Sequence, residues 1–67
     1  MSLKTADDVQ VGDVVEQEAF GGIRRIVTVT EVSNDIKNGR KGFSGTTEEG
    51  LPVWGYCSQI RQYITHA

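Results

Sequence analysis

The first candidates for covalent chemistry in this 67-residue chain are a single cysteine, Cys57, and a single histidine, His66. A cysteine nucleophile needs a neighbouring base, and His66 is the one histidine that could supply it. A structural zinc site needs about four cysteine or histidine ligands. We therefore expect Cys57 to behave as a small apolar residue, and we predict no catalytic residue, no metal site and no cofactor.

Two pairs of adjacent carboxylates, Asp7-Asp8 and Glu48-Glu49, are the second candidate for chemistry. General acid–base catalysis needs a carboxyl group that burial makes harder to ionise. Both pairs fall in a predicted turn or in the N-terminal segment, where water solvates them. Asp7 and Asp8 are also suited to capping a short helical turn. The sequence therefore favours a protein that is not an enzyme.

Trp54 and Tyr56 are the most informative residues, because side chains two residues apart on a strand project from one face. Two interpretations are open. If Val53 faces the core, the two aromatic side chains form an exposed binding strip, which Phe43 and Tyr63 could extend. If Trp54 faces the core instead, the pair fills the interior of a small domain.

The basic residues are concentrated in the middle of the chain. Residues 1–22 contain five acidic residues and one lysine, whereas residues 23–41 contain five basic residues and two acidic ones. The run Gly39-Arg40-Lys41-Gly42 has the residue types of an anion-binding loop, but it lacks the strand–loop–helix context of a phosphate-binding loop. We interpret it as a solvated basic turn, with binding to a phosphate or an acidic partner as the alternative.

An aromatic strip beside these basic residues is compatible with two kinds of partner. Single-stranded nucleic acid stacks its bases on aromatic rings and places its phosphates along cations. Peptide-binding barrels instead dock extended segments in aromatic grooves. The acidic residues in 1–22 would repel phosphates, and the net charge of −2 does not indicate a general nucleic-acid binder. The charge pattern therefore favours a protein partner.

Residue types that favour strands dominate the chain, which has 8 Val, 5 Ile and 6 Thr, punctuated by 8 Gly. The predicted strands are residues 14–19, 24–32, 43–47, 51–56 and 60–64. The predicted connections are a Gly-Gly hairpin at 20–23, a loop at 33–42 that contains the turn Asn38-Gly39, and one 3₁₀ turn at 57–59.

Five short strands joined by tight turns predict an all-β fold, a small five-stranded SH3-like barrel, because closing a sheet hides its edges. The barrel is one domain, residues 11–65, after an N-terminal segment, residues 1–10. The expected core residues are Val15, Val27, Val29 and, after a bulge that shifts the phase of the second strand, Val32.

The run Val11-Gly12-Asp13-Val14-Val15 resembles the opening of many SH3-like barrels, in which a Val-Gly-Asp turn leads into the first strand. The connection Cys57-Ser58-Gln59 is similar to the turn between the last two strands of that fold. Residues 35–43, followed by Val53-Trp54-Gly55-Tyr56 and Gln59-Ile60, are similar to small uncharacterised proteins of actinobacteria and their phages. These resemblances span residues 11–64 and imply a fold but no activity, since the fold hosts many unrelated functions.

We therefore expect a non-catalytic module that binds a protein partner or a second copy of itself. A homodimer would pair the acidic residues in 1–22 of one copy with the basic stretch 24–41 of the other. The alternative is a nucleic-acid-binding module that uses the same stretch and the aromatic residues. The predicted binding residues are Arg24, Arg25, Lys37, Arg40, Lys41, Phe43, Trp54 and Tyr56.

The apolar pattern also bears on location. No apolar run approaches the ~18 residues of a membrane span. The first eight residues lack the apolar central region of a signal peptide. We expect a cytoplasmic protein without membrane contacts.

Overall fold

Residues 5–65 are described by the computed structural model, and they form five antiparallel strands in one sheet. The strands are β1 (Val14–Glu18), β2 (Arg24–Lys37), β3 (Arg40–Thr47), β4 (Pro52–Tyr56) and β5 (Ile60–Thr65). They lie in the order β4-β3-β2-β1-β5. The prediction of an all-β fold with five strands is confirmed.

Three 3₁₀ turns of three residues each complete the described part of the chain. They are Ala6–Asp8, Phe20–Gly22 and Cys57–Gln59. The last of these links β4 to β5, the two edge strands, where one 3₁₀ turn was predicted. Within residues 5–65 there is no helix with the length and apolar character needed to cross a membrane.

One face of the sheet carries the core, and alternation along the strands decides which residues reach it. Val15 pairs directly with Val27 across β1 and β2, and both side chains are fully buried with Val29. The register of β2 against β3 shifts between Val29 and Glu31, and Val32 then packs against the same core. The predicted core positions and the predicted phase shift are confirmed.

The predicted loop at residues 33–42 is wrong, because β2 continues to Lys37 and β3 begins at Arg40. Between them lie Asn38 with φ 58° and Gly39 with φ 72°. A two-residue turn with positive φ at both positions matches the right-handed twist of its two strands, so it closes a tight hairpin. Asn34 and Asp35 are therefore exposed strand residues, and Asn38 and Gly39 form the predicted turn.

The N-terminal segment packs onto this sheet in its described part. Asp8 accepts a hydrogen bond from the Thr5 backbone N–H at 3.1 Å, which closes the turn that Asp7 and Asp8 were expected to cap. Val9 belongs to the core. The predicted candidate base, His66, lies outside the described residues.

Truncating the core should destabilise the fold far more than truncating the adjacent exposed position. Val27→Ala removes two methyl groups from a fully buried site, and we expect it to lower the free energy of unfolding by about 2 kcal/mol. Thr28→Ala, on the exposed face, should lower it by less than about 1 kcal/mol. Urea unfolding followed by the emission of Trp54, the one tryptophan, measures both. Equal losses would contradict the assignment of the two faces.

Candidate binding face

The two interpretations of Trp54 are resolved by the register of β4. Val53 packs against the core, whereas Trp54 lies on the other face of the strand and is 38% exposed. Tyr56 follows on the same face, and its ring meets the Trp54 ring edge to face at 5.4 Å between centroids. The expectation that Tyr56 is exposed is wrong: it is only 7% exposed, because the side chains of Phe20, Trp54 and Arg40 lie against its ring. Phe20, from the turn after β1, meets Tyr56 at 6.4 Å and is 73% exposed. Phe20, Trp54 and Tyr56 form the aromatic cluster.

The hairpin between β2 and β3 places two cations on the aromatic cluster. The ammonium of Lys37 lies 5.2 Å from the centre of the Trp54 ring. The guanidinium carbon of Arg40 lies 4.0 Å from the centre of the Tyr56 ring. Arg40 Nη2 also donates a hydrogen bond to Ser58 Oγ at 3.1 Å. Cations are attracted to the electron-rich face of an aromatic ring, so these contacts hold both side chains over the cluster.

A third cation, Arg25, is held in place by a buried amide. Gln17 is 1% exposed, and its Oε1 accepts a hydrogen bond from Arg25 Nε at 2.9 Å. The Gln17 Nε2 donates to Gln59 Oε1 at 2.8 Å and to the Trp54 carbonyl at 3.3 Å. Arg25 Nη2 also donates to that carbonyl, at 3.4 Å. This amide network joins β1, β2, β4 and the turn after β4.

Gly55 makes room for the network. A Cβ atom at Gly55 would collide with the Gln17 amide nitrogen and carbonyl carbon. The absence of a side chain there lets the Gln17 amide lie directly against the backbone of β4. The buried polar atoms of the described side chains all have hydrogen-bond partners, so this polar group in the core carries no unsatisfied donor or acceptor.

The network also caps the free edge of β4. Pro52 has no N–H, the Trp54 carbonyl accepts from Gln17 and Arg25, and the Tyr56 N–H donates to Gln59 Oε1 at 3.2 Å. Backbone groups that already have side-chain partners are poor templates for an added strand. Two of the backbone groups that an added strand would pair with are therefore occupied, which disfavours extension of the sheet at this edge.

Trp54 separates two depressions. The first is a half-enclosed pocket of about 120 Å³, lined by Gln17, Ala19, Phe20, Arg25, Trp54 and Gln59. The second is a shallower groove of about 340 Å³ between Thr30 and Pro52, with no charged residue in its lining. We define the binding face as the aromatic cluster with Arg25, Lys37 and Arg40, together with these two depressions.

Arg24 and Lys41, two predicted binding residues, are engaged elsewhere. Arg24 lies within 3.5 Å of Glu16 and 3.6 Å of Glu18. Arg61 adds a hydrogen bond to Glu18 at 2.9 Å, and this bond lowers the pKa of the Glu18 carboxyl. Lys41 donates to the Asp7 carbonyl in the N-terminal segment. Neither cation belongs to the binding face.

Phe43 and Tyr63 do not extend the aromatic strip, which corrects the expectation for both. Phe43 is fully buried in the core, because it lies opposite Val32 of β2, whose side chain packs against the same core. Tyr63 packs against the core, and its hydroxyl donates to the Thr5 carbonyl at 2.8 Å. Burial raises the pKa of Tyr63 to about 12.

Cys57 is buried at the start of the last 3₁₀ turn. Burial raises the pKa of the Cys57 thiol, which favours the protonated, unreactive form. Within residues 5–65 there is no cluster of three histidine, cysteine or carboxylate side chains that could hold a metal ion.

The sequence prediction missed Phe20, Gln17 and Gln59, together with the other residues that line the two depressions. A signal for Gln17 exists, since it shares its strand face with Val15 and must therefore point inward. Arg25 shares a face with Val27 in the same way, which distinguishes it from Arg24. No pattern in the sequence marks Phe20, which lies in a turn.

Comparison of the chain with models of protein families, with curated proteins and with solved structures found no match. The function must therefore be argued from the geometry of the binding face.

Replacing the buried amide should disrupt the binding face. Gln17→Leu leaves Arg25 Nε without its acceptor and removes one of the two donors to the Trp54 carbonyl, so we expect a loss of about 1–3 kcal/mol in the free energy of unfolding. The same substitution should also shift the wavelength of the fluorescence emission maximum of Trp54. The matched control is Gln62→Leu, which removes an exposed amide bonded to Glu16 at 3.3 Å and should change both readouts little. If Gln17→Leu is as harmless as the control, the amide network does not hold the site.

Proposed function

We propose that the protein is a non-catalytic binding module, built as an SH3-like barrel, whose binding face takes an extended segment of a partner protein. The observation that carries this proposal is the composition of the face. Within the described residues, Arg25, Lys37 and Arg40 have no carboxylate at ion-pair distance, whereas Arg24 and Arg61 both do. Cations without an acidic partner on an aromatic surface are typical of a recognition site.

The strand order supports the SH3-like part of the proposal. Strands β1 to β4 form a meander and β5 returns beside β1, so a connection of three residues joins the two edge strands. The 3₁₀ turn Cys57–Gln59 also supports this part of the proposal, since SH3-like barrels have a similar short turn between their last two strands.

The two depressions suit an extended peptide better than a compact ligand. An extended chain places alternate side chains on one side, and the depressions on either side of Trp54 could take two of them. Since the edge of β4 is already capped, the affinity would come from side-chain contacts in the groove.

The arrangement of the rings favours protein over nucleic acid. Base stacking needs open, roughly parallel ring faces. Here the ring planes meet at 89° and 87°, and cations already lie over Trp54 and Tyr56. Nucleic acid stays the second candidate because three cations lie beside the aromatic cluster.

The proposed self-association has less support. The acidic residues Glu16 and Glu18 already pair with Arg24 of the same chain. A dimer that uses these carboxylates would first have to break pairs within each copy, and exposed pairs contribute little net energy in either arrangement.

Selection from a random peptide library displayed on phage tests the proposal. Peptides selected on the immobilised protein should bind in solution, and Trp54→Ala should weaken their binding by about 30-fold, as expected of a central aromatic contact. Ile64→Ala truncates another exposed apolar residue, on β5, and should change binding less than about twofold. Fluorescence anisotropy of labelled peptides measures both.

The same assay with oligo(dT) and oligo(rU) at about 50 mM salt tests the alternative. Nucleic-acid binding that depends on Trp54 and falls steeply with salt, with no peptide selected, would contradict the proposal. Peptide binding without oligonucleotide binding would support it.

A further inference from the structure

Arg25 is oriented for recognition of a carboxylate. Its guanidinium has five N–H donors. The side edge of the group, formed by Nε and Nη2, is used by Gln17 Oε1 and the Trp54 carbonyl. The end edge, formed by Nη1 and Nη2, has no acceptor among residues 5–65. An edge with two parallel N–H groups fits both oxygens of one carboxylate.

The side chains around Arg25 indicate which chemical group accompanies the carboxylate in a ligand. Arg25 lines the 120 Å³ pocket together with the apolar side chains of Ala19, Phe20 and Trp54. A cavity of about 150 Å³ holds a benzene ring, so this pocket has room for an aliphatic side chain of similar or smaller size. A ligand that uses both features carries an aliphatic group close to a negative charge.

The binding face carries three cations, so a ligand that pairs with all of them needs more than one carboxylate. Arg25 lies at the pocket, Lys37 over Trp54 and Arg40 over Tyr56. A chain terminus would bring one negative charge, whereas acidic side chains along a segment could reach all three cations. The partial burial of Arg25 also strengthens its attraction for an anion relative to a fully exposed cation.

Resting on the proposed function, we propose that the partner segment is acidic and internal to its chain, with an aliphatic side chain that enters the pocket and flanking Asp or Glu residues. One carboxylate lies on the end edge of Arg25, and the others lie near Lys37 and Arg40. Gln17 is a positioning residue, which fixes the Arg25 guanidinium without contacting the ligand.

Blocked synthetic pentapeptides test this directly. Glu-Glu-Leu-Glu-Glu should bind the full chain with a saturable shift of the Trp54 indole and of the Gln17 and Gln59 side-chain amides in ¹H–¹⁵N spectra. Gln-Gln-Leu-Gln-Gln should bind at least about tenfold more weakly at low salt, since the charge is lost. Glu-Glu-Gly-Glu-Glu should bind at least about fivefold more weakly, since the aliphatic group is lost.

Adjacent arginines provide the matched variants. Arg25→Gln and Arg24→Gln change the net charge equally, but only Arg25 lines the pocket. Arg25→Gln should weaken binding of the acidic leucine peptide at least about fivefold, and Arg24→Gln less than about twofold. Because Arg25→Gln also disturbs the amide network, Phe20→Ala is the second variant. It should weaken binding similarly, while Ile23→Ala, which truncates another exposed apolar residue of the same connection, should not.

The inference is overturned if the acidic and the glutamine peptides bind equally, or if Arg24→Gln and Arg25→Gln have equal effects. It is also overturned if a glutamine peptide that ends in leucine with a free carboxylate binds better than the acidic segment. Selected library peptides that bind through Trp54 but carry no acidic residue would overturn it too, and would leave the proposed function standing. Failure of every peptide would overturn both.

Discussion

The structure depends on one buried side-chain amide. Gln17 occupies a core position of β1, where a polar group is costly unless every donor and acceptor is paired. Its partners come from β2, β4 and the turn after β4, so the hydrogen bonds that satisfy the amide also fix where these elements meet. In a domain of this size, with a small apolar core, such a network specifies one arrangement of the strands.

The binding face follows from that constraint. The amide network occupies two backbone groups at the edge of β4, which disfavours the addition of a strand there. It also fixes Arg25 at the pocket between Phe20 and Trp54. The hairpin of β2 and β3 then adds Lys37 and Arg40 on the outer side of the aromatic cluster. The residues that hold the strands together are therefore also the residues that position the proposed recognition site.

The alternation of apolar and polar residues along the strands was sufficient to predict the core. Val15, Val27 and Val29 lie where a spacing of two residues places them. It could not separate a strand from a loop at 33–37, because polar residues on a solvated strand have the composition of a loop and the pairing with β3 is non-local. Nor could it decide whether Trp54 or Val53 faces inward. That depends on which face of β4 meets Gly45 and Phe43 of β3, and a single strand carries no information about its neighbour.

Hydrogen exchange of the glutamine side chains tests the central role of the buried amide most directly. The chain has four glutamines, and Gln10 and Gln62 are exposed references in the same ¹H–¹⁵N spectrum. The Gln17 side-chain protons should exchange at least about tenfold more slowly than those of the references and show nuclear Overhauser contacts to the α protons of Gly55. Exchange as fast as that of Gln62, with no contact to Gly55, would show that the amide is not in the core and would contradict the account.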